Sequence, residues 1–153
     1  MTSKSALYDT DFYAWSLEQA ALLRAGQIGH ADIERIAEEI ESMGKTEKRE
    51  LISRLTVLLM HLLKWRFQPE LRGASWRLTI EEQRLQIALH LADNPSLKAL
   101  QTQALADAYR LAVIGARRET GLGAATFPQM CPWSFDKAID ADFWPGSRPA
   151  IAG

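Results

Sequence analysis

Residues 51–77 read LISRLTVLLMHLLKWRFQPELRGASWR, and this stretch decides the fold. From Leu51 to Phe67, apolar residues recur at spacings of three and four over a wide face, which is typical of a helix that contacts several neighbours. Pro69 cannot continue that helix, because its ring removes a backbone donor and clashes with the preceding turn. A new helical pattern begins near Ser75. The stretch therefore predicts two helices that are joined at a corner.

Helical periodicity runs through most of the chain, whereas no segment alternates apolar and polar residues as a half-buried strand does. Polar capping residues, glycines and prolines set the expected limits of the helices. The predicted helices span residues 9–25, 31–43, 46–67, 75–91, 96–119 and 134–141, with Gly44 ending the second and with Ser75 and Ser134 as N-caps. We expect an all-α fold, a compact bundle of about five main helices with a long central third helix.

The last part of the chain, residues 121–153, holds four of the six prolines and is rich in aromatic residues. Its large aromatic side chains are Phe127, Trp133, Phe135, Phe143 and Trp144. Because so much apolar surface is costly to leave in water, we expect this tail to pack on the bundle. The sequence thus predicts one helical domain over residues 1–153, with a bundle at about 8–120, a wrapping tail at about 121–147 and a frayed end at 148–153.

Composition and charge argue against several functional classes of protein. The chain has 153 residues and a net charge of -1, whereas proteins that bind nucleic acids usually carry a clear basic excess. The apolar stretch 55–63 falls well short of the roughly 20 residues that span a bilayer, and the start of the chain lacks the apolar segment of a secretory signal. A single cysteine, Cys131, fits a reducing compartment. We expect a cytoplasmic protein that does not enter membranes.

Basic and aromatic residues are interleaved at the corner between the two central helices. Arginine and tryptophan together can bind phosphate groups or stack on bases. They can equally stack on one another and pair with the acidic face of the second predicted helix, and this structural interpretation is favoured by the near-neutral charge of the chain. The candidate patch for a ligand or a partner consists of His61, Trp65, Arg66, Arg72, Trp76, Arg77 and Arg84.

Catalytic and metal-binding patterns are sparse. Helical metalloenzymes place ligands at spacings such as Glu-x-x-His on one helix face, and this spacing is missing here. His61 and His90 are the weak candidates for a metal site, and the alternative for His61 is a hydrogen-bonded, partly buried histidine. Acidic residues such as Glu38 and Glu82 are more typical of solvated helix faces than of acid–base pairs. No cofactor motif and no nucleophile motif occurs.

Four segments of the chain occur in a characteristic order: YDTDFYAWSLEQAALLRAG, IERIAEEIESMGKTEKREL, LLMHLLKWRFQPE and SWRLTIEEQR. They resemble the bacterial family called domain of unknown function 29, and we expect the resemblance to cover about residues 8–114 and the tail. The motif HLLKW-x-x-QP followed by SW-x-x-TI-x-x-QR is the most specific part. The resemblance implies an all-α fold. It implies no activity, and so it transfers no catalytic residue to this chain.

Three functional hypotheses remain open. The first is a non-catalytic helical interaction or regulatory module that binds a protein partner or forms a homo-oligomer, because catalytic spacings are missing and aromatic surface is abundant. The second is a binder of nucleic acid or of a phosphate ligand at the basic–aromatic corner, although the net charge argues against nucleic acid. The third is an uncharacterised metal-dependent enzyme that uses His61 and His90.

Overall fold

Six α-helices follow one another along residues 6–146, the part of the chain that this computed structural model describes, and no strand occurs in that range. The helices are α1 (Ala6–Thr10), α2 (Phe12–Arg24), α3 (Ile33–Phe67), α4 (Ala74–Asp93), α5 (Gln101–Thr120) and α6 (Phe135–Ile139). Short 3₁₀ turns occupy Ile28–His30, Pro69–Leu71, Pro95–Leu100 and Ala124–Thr126. The predicted all-α class with a long third helix is confirmed. The frayed end predicted at 148–153 lies outside the described residues.

Local capping explains most of the helix limits. The Asp11 side chain accepts a hydrogen bond from the backbone N–H of Ala14 at 3.1 Å, and Ser134 accepts one from Lys137 at 3.1 Å. Gly121 ends α5 with a φ of 75°, a conformation that glycine adopts without strain. The predicted cap at Ser75 is wrong, because α4 begins one residue earlier and extended backbone precedes it.

The largest departure from the sequence prediction is the continuity of α3. Gly44 was expected to separate two helices, yet Ile33–Phe67 forms one helix of 35 residues. Among the described glycines, only Gly26, Gly121 and Gly146 have positive φ, so Gly44 has no left-handed turn to make. A glycine inside a helix costs only about 1 kcal/mol relative to alanine, which the helical residues on both sides outweigh.

The chain divides into two compact units, Met1–Thr46 and Glu47–Gly153. In the first unit, the Tyr8, Phe12 and Trp15 rings form a cluster in which Trp15 lies 4.9 Å from Tyr8 and 5.4 Å from Phe12. The backbone N–H of Asp32 donates to Oε1 of the buried Gln19 at 2.7 Å. These contacts join α1 and α2 to the start of α3.

In the second unit, α3 supplies the centre of the core. Its residues Leu51, Leu55, Leu58, Leu59, Leu62 and Leu63 are fully buried. From α4, Ile80 and Ile87 are fully buried as well. On α5, alanines recur every fourth residue on the buried face, namely Ala104, Ala108, Ala112 and Ala116. Small side chains allow α5 to lie close to the core, and Gly115 leaves the space that the Met60 side chain fills.

The aromatic tail packs on the helices as predicted. Phe127, Trp133 and Phe135 are buried in the core of the second unit. The Trp144 ring lies 4.7 Å from Trp65 at the end of α3. Helix α6 is shorter than predicted, because it ends at Ile139 rather than at residue 141.

None of the helices within residues 6–146 combines the length and the apolarity that crossing a bilayer requires.

Candidate functional site

The corner between α3 and α4 is made of backbone turns that the sequence sets. The Gln68 N–H still donates to the carbonyl of Lys64 at 2.8 Å, so α3 ends where Pro69 begins a 3₁₀ turn. Extended backbone at Gly73 then leads into α4. This corner joins the end of α3, which carries Trp65, to the start of α4, which carries Trp76.

Arg72 ties this corner to the tail. Its Nε donates to the carbonyl of Trp65 at 2.7 Å, and its Nη2 donates to the carbonyl of Pro145 at 3.3 Å. The guanidinium also lies 5.2 Å from the centre of the Trp65 ring. A side chain at Gly146 would come within 2.6 Å of Nη2, so glycine gives Arg72 its space. Arg72 is therefore already engaged by groups of the chain itself.

Arg84 is buried and has an equivalent role further along α4. Its Nε donates to the carbonyl of Ala138 at 2.9 Å, and its Nη2 donates to the carbonyl of Phe143 at 2.7 Å. The first of these carbonyls belongs to the last turn of α6, where backbone acceptors have no partner inside the helix. Burial lowers the pKa of Arg84, and Asp140 opposes that effect. A buried cation with carbonyl partners holds structure and has little freedom to bind a ligand.

Lys64 is buried like Arg84, although it was not included in the predicted patch. Its Nζ lies 2.8 Å from a carboxylate oxygen of Glu119 on α5 and 4.7 Å from the centre of the Trp76 ring. Trp76 thus covers a charge that is already paired.

The two remaining arginines of the patch are exposed. The Arg66 guanidinium lies 5.1 Å from the centre of the Phe67 ring. Within residues 6–146, the Arg77 side chain makes neither a hydrogen bond nor an ion pair. The patch is therefore divided: Arg72 and Arg84 bind the tail, whereas Arg66 and Arg77 face solvent.

His61 has a local explanation. Its Nδ1–H donates to the carbonyl of Val57, one turn earlier on α3, at 2.8 Å. Burial lowers the pKa of His61, which the hydrogen bond to Val57 partly offsets. Within residues 6–146, no cluster of three or more metal-binding side chains includes His61.

His90 has different surroundings. Its Nε2 lies 2.9 Å from the backbone carbonyl of Glu47, and its Nδ1 lies 3.4 Å from Oε2 of Glu50. A cleft of about 490 Å³ opens beside this cluster. Glu47 and Glu50 were not among the predicted site residues. Their spacing of three places both carboxylates on one helix face, and that was the available signal.

Cys131 does not have the surroundings of a nucleophile. Its thiol donates to the carbonyl of Trp133 at 3.3 Å. Burial raises the pKa of Cys131, which lowers the fraction of reactive thiolate. The cysteine lines a largely apolar cleft of about 340 Å³ together with Tyr109 and Met130.

The sequence matches the family Domain of unknown function DUF29 over residues 7–144. The chain belongs to this family. The match includes most of the aromatic tail, as the resemblance implied, and the contacts of this tail with Arg72 and Arg84 close the corner. No curated protein matches the chain, and no solved structure does either.

Proposed function

We propose that this chain is a non-catalytic, cytoplasmic interaction module whose first unit binds a second copy of the chain. The observation that carries the proposal is an apolar stripe on the solvent-facing side of α3. Its members are Ile33, Ala37, Ile40 and Gly44, which we call the α3 stripe. Ile33 is 47% exposed and Ile40 is 62% exposed, and their spacing of seven residues places them on the same helix face.

Residue size along the α3 stripe favours a copy of the same chain as its occupant. Large and small side chains alternate, the spacings of four, three and four residues are symmetric about the middle of the stripe, and reversing the stripe exchanges large and small positions. In an antiparallel pair, Ile33 of one copy lies opposite Gly44 of the second copy, and Ala37 lies opposite Ile40 of the second copy. Each large residue then meets a small one, which is the condition for close helix packing with two-fold symmetry.

Gly44 gives independent support. It lies inside a helix, lacks a positive φ, and a side chain built there meets no atom of the described chain within 4 Å. Nothing within residues 6–146 therefore explains why this position lacks a side chain. A second helix that approaches the backbone closely would explain it.

Charges around the α3 stripe are compatible with the antiparallel direction. Within residues 32–41, five acidic side chains accompany one arginine, a net charge of -4. A parallel pair would align this acidic segment with itself throughout. An antiparallel pair instead brings Lys45 to within about one turn of Glu34 of the second copy.

Co-purification of two copies that carry different peptide tags tests the proposal. We expect the wild-type copies to purify together, and we expect Ile40→Glu to abolish the association because it places a charge in the middle of the stripe. Leu111→Glu is the matched control, since Leu111 is also an exposed leucine-sized residue (53% exposed) but lies on α5. Loss of association in both variants, or in neither, would refute this interface.

A second candidate function remains for the basic corner. The exposed Arg66 and Arg77 favour weak binding of a phosphate-containing ligand, including nucleic acid, because their charges are not used by tail carbonyls. Such binding would fall steeply as salt rises. Arg66→Glu combined with Arg77→Glu should abolish it, whereas retained binding in that double variant would exclude the corner as the site.

A further inference from the structure

Three side chains of types that bind metals, one histidine and two glutamates, lie close together in the second unit. Glu47 and Glu50 leave the same face of α3, and His90 faces them from α4. One ligand atom from each of the three residues lies within 4.8 Å of the others. We propose that this cluster, the Glu47–Glu50–His90 site, binds a divalent transition-metal ion.

The hydrogen bond of His90 determines which of its two ring nitrogens has a free lone pair. A backbone carbonyl can only accept, so the 2.9 Å contact with Glu47 means that Nε2 carries the proton and donates it. In the neutral ring, Nδ1 then has a lone pair and no hydrogen. That lone pair faces Oε2 of Glu50 at 3.4 Å, which is also an acceptor. Two acceptors facing each other require a cation or a proton between them.

The spacing of these two atoms suits a metal ion. Ligands at about 2.0 to 2.2 Å from one tetrahedral ion lie roughly 3.4 Å from each other, and the observed separation of Nδ1 and Oε2 is 3.4 Å. Oε2 of Glu47 lies 3.6 Å from Nε2, on the donor side of the ring. The Glu47 side chain is 44% exposed, so it has the freedom to rotate toward the ion.

The surroundings already position the ligands. The His90 side chain is only 8% exposed, and its ring is held by the Glu47 carbonyl. Arg54 Nη2 lies 3.0 Å from Oε1 of Glu50, which leaves Oε2 of that carboxylate to face His90. In proteins, a histidine that binds a metal through one ring nitrogen usually donates a hydrogen bond from the other nitrogen. A carboxylate that binds a metal is usually hydrogen-bonded as well.

The donor atoms indicate the class of ion. One imidazole nitrogen and two carboxylates suit Zn²⁺, Mn²⁺ or Fe²⁺ better than Mg²⁺, which prefers oxygen ligands alone. The adjoining cleft of about 490 Å³ also exposes Asp93, one turn after His90, and it admits water for the remaining coordination positions. Because the cleft is open and the two glutamates are partly exposed, we expect the metal ion to bind reversibly.

Calorimetric titration of the full chain tests the site. The protein is purified without a histidine tag and treated with a chelator, and it is then titrated with Zn²⁺, Mn²⁺ and Mg²⁺ separately. We expect one equivalent of Zn²⁺ or Mn²⁺ to bind, Mg²⁺ to bind at least tenfold more weakly, and the bound ion to raise Tm.

Matched variants locate the ion. Glu50→Gln and His90→Gln should each weaken Zn²⁺ binding at least tenfold, whereas Glu82→Gln on the exposed face of α4 and His61→Gln should leave it unchanged. Circular dichroism without metal establishes that each variant folds. If the wild type binds less than about a tenth of an equivalent of Zn²⁺ and of Mn²⁺, the proposal is wrong. Equal Zn²⁺ affinity in wild type, Glu50→Gln and His90→Gln would overturn it as well.

Discussion

Nη2 of Arg84 lies 2.7 Å from the carbonyl oxygen of Phe143, 59 residues later in the chain. The same guanidinium donates to Ala138 and lies 5.3 Å from the centre of the Trp144 ring. One buried side chain on α4 therefore holds α6 and the segment after it. This contact makes the aromatic tail part of the second unit rather than an appendage.

Replacing Arg84 should destabilise the protein strongly. Arg84→Met fills part of the same space but leaves the buried Ala138 carbonyl and the half-buried Phe143 carbonyl without their donor, so we expect a loss of about 2 to 4 kcal/mol in the free energy of unfolding. Urea denaturation followed by tryptophan fluorescence measures it. Arg77→Met is the control, because its exposed side chain has no partner within residues 6–146 and the change should stay within about 0.5 kcal/mol. Similar small effects at both positions would contradict the assigned role of Arg84.

The Gly44→Ala substitution should have opposite effects on the stability of the chain and on the proposed association of two copies. Alanine is the better helix former and has open space around it, so the free energy of unfolding should rise by about 0.5 to 1 kcal/mol. The same methyl group would obstruct the second copy, so self-association should weaken. Urea denaturation at low protein concentration and co-purification measure the two effects.

Gly121→Ala is the matched control for the glycine effect. Gly121 has a φ of 75°, where a side chain is strained, so this substitution should lower the free energy of unfolding. A Gly44→Ala variant that is less stable than wild type would mean that α3 is interrupted at this position, as the sequence alone had suggested.

Ionisation of Tyr109 should lower the free energy of unfolding at high pH. Burial raises the pKa of Tyr109 from 10.0 to about 12, the charge of Cys131 adds to the rise, and the hydroxyl donates to the carbonyl of Pro128 at 2.6 Å. The folded chain then holds this proton more tightly than the unfolded chain does. The stabilisation is fully present below pH 10 and is lost as pH rises from about 10 to about 12, by about 2 to 3 kcal/mol.

The difference between wild type and Tyr109→Phe isolates this effect, since both chains share all other titrating groups apart from that hydroxyl. Urea midpoints measured from pH 9 upward should converge as pH increases. A difference in free energy that stays constant through pH 11 would show that Tyr109 ionises normally in the folded chain.

The sequence predicted local structure better than it predicted partners. The cap at Ser134 was correct, because it depends on one side chain within the first turn of the helix. The break at Gly44 was wrong, since a glycine is a weak local signal and the helix on both sides decides the outcome.

The candidate site was harder to predict for a physical reason. The partners of Arg72 and Arg84 are backbone carbonyls of the tail, and every residue has such a carbonyl, so no residue type marks them in a sequence. The cluster around His90 depends on Glu47, 43 residues away, whose spacing to Glu50 is also common on solvated helices. Only the packing of α4 against α3 shows that these side chains meet.

The most direct test of the central claim, that the α3 stripe joins two copies of the chain, is the mass of the purified protein in solution. Sedimentation equilibrium over a range of concentrations should give twice the 17.2 kDa of one chain at high concentration. Ile40→Glu should give the mass of one chain throughout. A wild-type protein that keeps the mass of one chain at every concentration would contradict the account.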